Sequence, residues 1–146
     1  VSAGKIIDAV VEQEIAQAKA LGINLACVPT SRIVVTDASL LQRALSNLVN
    51  NAIVHSGGSR ILVGVKSAGR GRIRFWVIDD GRGIAAEEAG KIFEDYYQIR
   101  VPENPGKGGF GLGLASVRRI AKLLGGHAAL SGRKHRGAAF FIELPA

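Results

Sequence analysis

Asn47, Asn50 and Asn51 fall close together in the run Asn47-Leu-Val-Asn50-Asn51-Ala52, where carboxamides weaken the helix that the surrounding apolar residues favour. At i, i+4 and i+7, Asn47, Asn51 and Val54 share one helix face. A carboxamide oxygen is a neutral ligand suited to Mg2+, which takes oxygen donors, keeps several waters and often shares an anion. The same pattern also suits a plain solvated helix face. A second segment, Val77-Ile78-Asp79-Asp80-Gly81-Arg82-Gly83-Ile84, ends a strand-like run with two acids and two glycines. It reads either as an Asp-Gly turn or as a carboxylate set to accept from an exocyclic amine. The amine of adenine would satisfy it, whereas guanine presents an oxygen there and would leave a buried like pair. Gly81 and Gly83 would then let the backbone approach the base.

A third segment, Gly106-Lys107-Gly108-Gly109-Phe110-Gly111-Leu112-Gly113, opens directly into a helix at Leu114. Bare peptide N–H groups and the partial positive charge of a helix start both favour phosphate, although a flexible glycine loop has the same composition. No Ser or Thr follows the Gly-Lys pair, so this is not a Walker loop. A dinucleotide fingerprint would need a strand before it. The fourth segment is Ile92-Phe93-Glu94-Asp95-Tyr96-Tyr97, in which Phe93 is expected to anchor in the core.

These residues need elements to hold them. Apolar spacing predicts helices over 5–20, from a cap at Asp37 or Ser39 to 55, and over 114–124. Gly22, Gly57-Gly58 and Gly125-Gly126 stop them. Strands are expected over 23–28, 33–36, 60–66, 72–79, 127–131 and 138–144, with a hairpin loop at 67–71. Residues 81–113 read as a long irregular segment holding a short helix near 87–93. Strands clustered about three long helices imply an α+β two-layer sandwich, with the helices on one face of a mixed sheet.

At 146 residues and 47% apolar content, the chain is expected to be one globular domain over 1–146. The +7 charge, 19 Lys and Arg against 12 Asp and Glu, suits an anionic ligand or an acidic partner. Its basic residues are scattered, and five Phe, two Tyr and one Trp do not interleave with them as a nucleic-acid platform requires. Nucleic-acid binding is therefore not expected. The lone Cys27 excludes an internal disulfide and fits a reducing compartment. No run approaches the roughly 20 residues of a membrane span, and no signal-peptide pattern opens the chain. Val1 at the start and the absence of Met lead us to expect an excerpt of a longer protein.

Taken in order, the four segments resemble the ATP-binding catalytic domain of bacterial sensor histidine kinases, of the superfamily that also holds DNA gyrase, Hsp90 and MutL. Gly-x-Gly-Leu-Gly-Leu, here Gly109 to Leu114, is the most specific of the motifs, and the likeness extends to Gly137-Ala-Ala-Phe140 and Leu144-Pro145. The resemblance implies a Bergerat-type ATP-binding fold, its sheet mostly antiparallel, with a mobile ATP lid over about 95–109. It implies that Asn47 and Asn51 sit beside Mg2+, with Asn50 a neighbour or a supporting donor. It also implies that Asp79, not Asp80, reads adenine. His55, Gly81, Gly83, Ile84, Tyr97, Lys107, Gly109, Phe110, Gly111, Leu112, Gly113 and Leu114 complete the nucleotide site. The implied activity is donation of the ATP γ-phosphate to a histidine on a separate dimerisation and phosphoacceptor domain, with a response regulator downstream. The isolated domain would then be monomeric, cytoplasmic and without membrane contact of its own, its parent being free to carry a membrane anchor.

Two departures stand out. Val54 and His55 occupy positions where the family usually has Lys and Tyr, and Gln98 stands where it commonly has Arg. Two phosphate-facing cations are thus missing, and Arg100 and Lys107 are candidate substitutes. His55 lies beside the expected pocket, which suits a packing or nucleotide-edge role and not that of phosphoacceptor. His127 and His135 match nothing in the family. The alternatives are a serine kinase or ATPase switch on the same fold, or a degenerate nucleotide-binding or scaffold domain. Clamp ATPases place a Glu general base early in the helix bearing the Asn, and Gln42-Arg43-Ala44-Leu45-Ser46 has none.

Overall fold

The computed structural model describes residues 1–84, 93, 111–131 and 137–146. Helix α1 spans Ala3–Ala20, capped by Ser2, whose hydroxyl accepts from the Lys5 N–H. It ends where Gly22 turns left-handed: Ile23 N–H donates to Ala18 and Gly22 N–H to Lys19, the paired closure of a helix that stops on glycine. Helix α2 spans Ala38–His55 and is capped by Asp37, which accepts from Leu40 N–H at 3.0 Å. Helix α3 spans Gly111–Leu123 and closes on Gly125 and Gly126 as α1 does on Gly22.

Strands β1 (Asn24–Cys27), β2 (Arg60–Gly69), β3 (Arg72–Asp79), β4 (His127–Ser131) and β5 (Ala139–Pro145) form one sheet in the order β1-β2-β3-β5-β4. The β1–β2 pair is parallel and the other three are antiparallel, the mixed, mostly antiparallel sheet expected. Side chains alternate strictly on β3: Ile73, Phe75 and Val77 are buried toward the helices. Phe75 is fully buried, and truncating such a ring costs about 3–5 kcal/mol. On the opposite face, free of these helices, Trp76 packs against Phe141 with centroids 4.9 Å apart and the rings inclined at 50°, and the Arg74 guanidinium lies 4.1 Å over the Phe141 ring. Glu143 binds Arg72 and Arg74 there at 2.7 and 2.8 Å.

Two expectations are corrected. Residues 33–36 form no strand; Ile33 makes a single antiparallel bridge with Ser2, and Val1 and Val34 exchange hydrogen bonds beside it. Only Val34 is buried, with Ile33 69% and Val35 93% exposed, so β-branched composition had no sheet to join before the Asp37 cap. The β2–β3 connection is also tighter than 67–71. Strand β2 runs on to Gly69 past a bulge, leaving Arg70 and Gly71, both at positive φ, as the whole turn. The short helix expected near 87–93 lies outside the described residues except for Phe93, which is in the core, edge-on to Phe140 with centroids 6.0 Å apart.

Candidate functional site

Asp79 continues the inward-facing row of Ile73, Phe75 and Val77, so strand alternation places a carboxylate where the row would otherwise bury another apolar side chain. It is 5% exposed. Its Oδ1 accepts from Gly81 N–H at 2.9 Å and Ala138 N–H at 3.2 Å, while Asp79 N–H donates to the Ala138 carbonyl at 2.9 Å. The carboxylate is thus oriented by main chain from its own turn and from the start of β5. Asp80, its neighbour, does different work. It accepts from Ser59 N–H, Arg60 N–H and Ser59 Oγ at 2.8, 2.9 and 3.1 Å. The Arg60 and then the Ser59 backbone bonds hold its carboxyl below the usual aspartate range. One acid of the pair faces a cavity, and the other clamps the entry to β2.

That cavity, of about 40 Å³, lies between α2, the Asp79 turn and β5. Asn51 and His55 reach it from α2; Arg82, Gly83 and Ile84 line it from the turn; Ala138, just ahead of β5, and Phe140 of β5 line it from the other side. Burial, and then the positive Arg82 guanidinium, push the His55 imidazole below the ordinary histidine range, which favours its neutral form. Gly81 stands behind the cavity and not in its lining. A Cβ on it would overlap the Ser56 carbonyl at the C-terminus of α2, to which Arg82 N–H donates at 2.9 Å. The glycine thus brings the turn onto the helix end. Gly83 adopts φ +76°, its backbone close against Gly137.

Asn47 lies one helical turn before Asn51 and opens on a second, larger cavity of about 420 Å³, together with Gln13, Ser39, Gln42, Arg43 and Ser46. Ser46 donates to Gln13 of α1 at 3.2 Å, and Asn50 donates to Gln17 at 2.9 Å, so Asn50 ties α2 to α1. Among the described residues, no three His, Cys, Asp or Glu side chains gather as a metal set. From the described residues, a hard divalent ion beside Asn47 and Asn51 would take carboxamide oxygens, with an anionic ligand and water able to supply the rest of its shell.

Helix α3, which packs on α2, opens at Gly111, so Gly111, Leu112 and Gly113 form its first turn. No acidic residue occupies that turn, which leaves the helix start compatible with an anion. Leu114 is buried in the core. Tyr97, Gln98, Arg100, Lys107, Gly109, Phe110 and the 95–109 segment lie outside the described residues, as does His135. Sequence reasoning missed Ala138 and Arg82. The first serves through its N–H, 59 residues from Asp79, and only the small Gly137-Ala138 pair ahead of β5 could have signalled it.

Comparison with known proteins agrees with this architecture. The model of the histidine kinase-, DNA gyrase B- and HSP90-like ATPase family matches residues 36–146. The aerobic respiration control sensor protein ArcB of Escherichia coli (strain K12) is 35% identical over 134 residues, covering 90% of this chain and 17% of ArcB. The sensor-like histidine kinase SenX3 of Mycolicibacterium smegmatis is 30% identical over 145 residues, covering 95% of this chain and 38% of SenX3. The chain thus spans well under half of these relatives. The crystal structure of full-length ShkA in complex with AMPPNP superposes with a TM-score of 0.82 at 30% identity, over 99% of this chain and 30% of ShkA. With the sheet order, the Asp79 turn and the carboxamide face of α2 in place, the chain belongs to the histidine kinase-, DNA gyrase B- and HSP90-like ATPase family, as an ATP-binding domain of the sensor histidine kinase type.

Proposed function

We propose that this domain binds Mg-ATP and donates its γ-phosphate to a histidine on a separate dimerisation and phosphoacceptor domain, from which a response regulator takes it. One observation carries the reading: a buried carboxylate, Asp79, is oriented by two main-chain N–H groups at the wall of a cavity that α2 also lines with Asn51. Asp79 accepts from the exocyclic amine of adenine, and the neutral His55 packs at the base edge. Ile84 and Gly83 shape the base pocket, and Gly81 sets the turn behind it. Asn47 and Asn51 supply carboxamide oxygens to Mg2+, which when bound neutralises phosphate charge. Lys107 through Gly113 and the start of α3 embrace the phosphates, and Tyr97 belongs to the nucleotide site without an assigned contact.

The transfer moves the γ-phosphoryl from the β–γ bridging oxygen to an imidazole nitrogen of the partner domain, releasing ADP. This chain's residues bind and position; none acts as nucleophile. Helix α2 carries no Asp or Glu, so no carboxylate base for water stands early on the Asn-bearing helix, and His55 lies at its far end beside Asp79; hydrolysis by the isolated domain should be slow. The isolated domain is read as a monomer, and the site of action as the cytoplasm, because the resemblance to sensor histidine kinases implies both. No helix among the described residues is long and apolar enough to cross a membrane.

Calorimetric titration with ATP and GTP, with and without Mg2+, tests the reading alongside Asp79→Asn. ATP should bind selectively. Replacing the charged acceptor should weaken ATP by about ten- to a hundredfold and erase the preference over GTP. A folded wild-type sample that binds neither nucleotide at millimolar concentration would overturn it in favour of a scaffold. Mixing with a histidine-bearing domain and labelled ATP then asks for transfer.

A further inference from the structure

Two cations that commonly face phosphate in this family are absent at Val54 and Gln98, yet the structure offers another cation on the same helix. Ser39, Arg43, Asn47, Asn51 and His55 recur at every fourth residue of α2, a ladder that winds slowly around the helix. The ladder divides between the two cavities: His55 and Asn51 line the small one with Asp79, while Asn47, Arg43 and Ser39 line the larger. Each rung advances about 6 Å, so Arg43 stands about 12 Å along the axis from Asn51, on the side of Asn47 remote from the base pocket. Arg43 is exposed, and among the described residues no carboxylate forms an ion pair with it. The other residues lining this cavity, Gln13, Ser39, Gln42, Ser46 and Asn47, are uncharged, so among the described residues Arg43 alone brings charge to its lining.

We infer that Arg43 binds the terminal phosphate of the nucleotide, taking over charge neutralisation that the family usually assigns to the residue at position 54. The inference rests on the Mg-ATP reading above. A guanidinium offers a planar fork that matches phosphate oxygens two at a time, which a lysine ammonium does not. Two rungs beyond Asn51, on the side away from Asp79, it meets the one phosphate that ATP has and ADP lacks. Arg43 therefore makes the domain distinguish charged from spent nucleotide, favouring ATP entry and ADP release.

The test compares ATP and ADP affinities, measured by calorimetry with Mg2+ present, for the wild-type chain, Arg43→Ala and Arg43→Lys. Arg43→Ala should lose about tenfold in ATP affinity, the scale of one charge-assisted hydrogen bond, while ADP affinity stays within about twofold. Arg43→Lys should fall between, keeping charge without the fork. Retained ADP binding also shows that the variants are folded. Equal losses for ATP and ADP would place the side chain elsewhere on the phosphates or in the fold and overturn the inference. So would an unchanged ATP-to-ADP ratio, with the nucleotide reading left standing. If the folded wild type binds neither nucleotide, the reading and the inference fall together.

Discussion

The two ends of α2 handle recognition differently. At its C-terminus, the small cavity is braced by main chain: Gly81 and Ala138 N–H groups hold Asp79, and Arg82 N–H reaches the Ser56 carbonyl. Toward its N-terminus, the larger cavity is bordered by long polar side chains, with one Ser46–Gln13 bond across to α1. A group held by peptide N–H donors cannot relax without moving a strand, whereas one on a long side chain adjusts by rotamer. On the proposed Mg-ATP reading, the end nearer Asp79 is thus preorganised to select a base, and the end nearer Arg43 is adaptable for an anion and its metal.

The largest expected effect breaks the rigid end. Gly81→Ala would drive a methyl group into the Ser56 carbonyl, and no flexible side chain is there to yield. Urea unfolding should show a loss of about 3 kcal/mol, with ATP binding lost as well. Wild-type stability in this variant would mean that the turn and helix end slide freely, and the contrast between the ends would vanish. A smaller effect is expected at the adaptable end. Asn47→Ala should cost about tenfold of the Mg2+-dependent part of ATP affinity. Its unfolding free energy should stay within about 0.5 kcal/mol of wild type, because the side chain borders a cavity and not the core. A stability loss matching that of Gly81→Ala would show Asn47 to be structural.

The smallest effect sharpens the comparison by pH. The folded-state pKa of Asp80 is depressed by its Arg60 and Ser59 bonds. Its stabilisation is therefore complete above the ordinary aspartate range and is lost as pH falls through the lower, folded-state value. Asp80→Ala should be less stable than wild type at neutral pH, and that difference should shrink in acid. ATP affinity at pH 7 should hardly change. An acid limb that is the same in both proteins would remove Asp80 from the clamp.

Much of the fold was legible because its signals are local. Asp37, Gly22 and Gly125 are caps and stops read from a few residues, and the alternation of β3 places Phe75 inside from pattern alone. Residues 33–36 misled because β-branched composition speaks to strand fitness and not to the presence of a neighbouring strand. The site was legible as residue types but not as geometry. The separation of Asp79 from Asp80 depends on Ala138 and Ser59, which no local window includes. Gly81 was read for its freedom to approach a base, whereas its bare Cα is needed against Ser56. Asn50 was ambiguous in sequence because its partner, Gln17, lies on another helix.

The position of Trp76 has an optical consequence. The chain has a single tryptophan, packed against Phe141 on the sheet face opposite the one from which Asp79 points. Its emission should therefore report the integrity of the sheet while remaining indifferent to what fills the cavity beside α2. Unfolding can then be followed at this one indole with nucleotide present or absent, and any shift in midpoint reads ligand linkage free of a direct spectral contribution from the site.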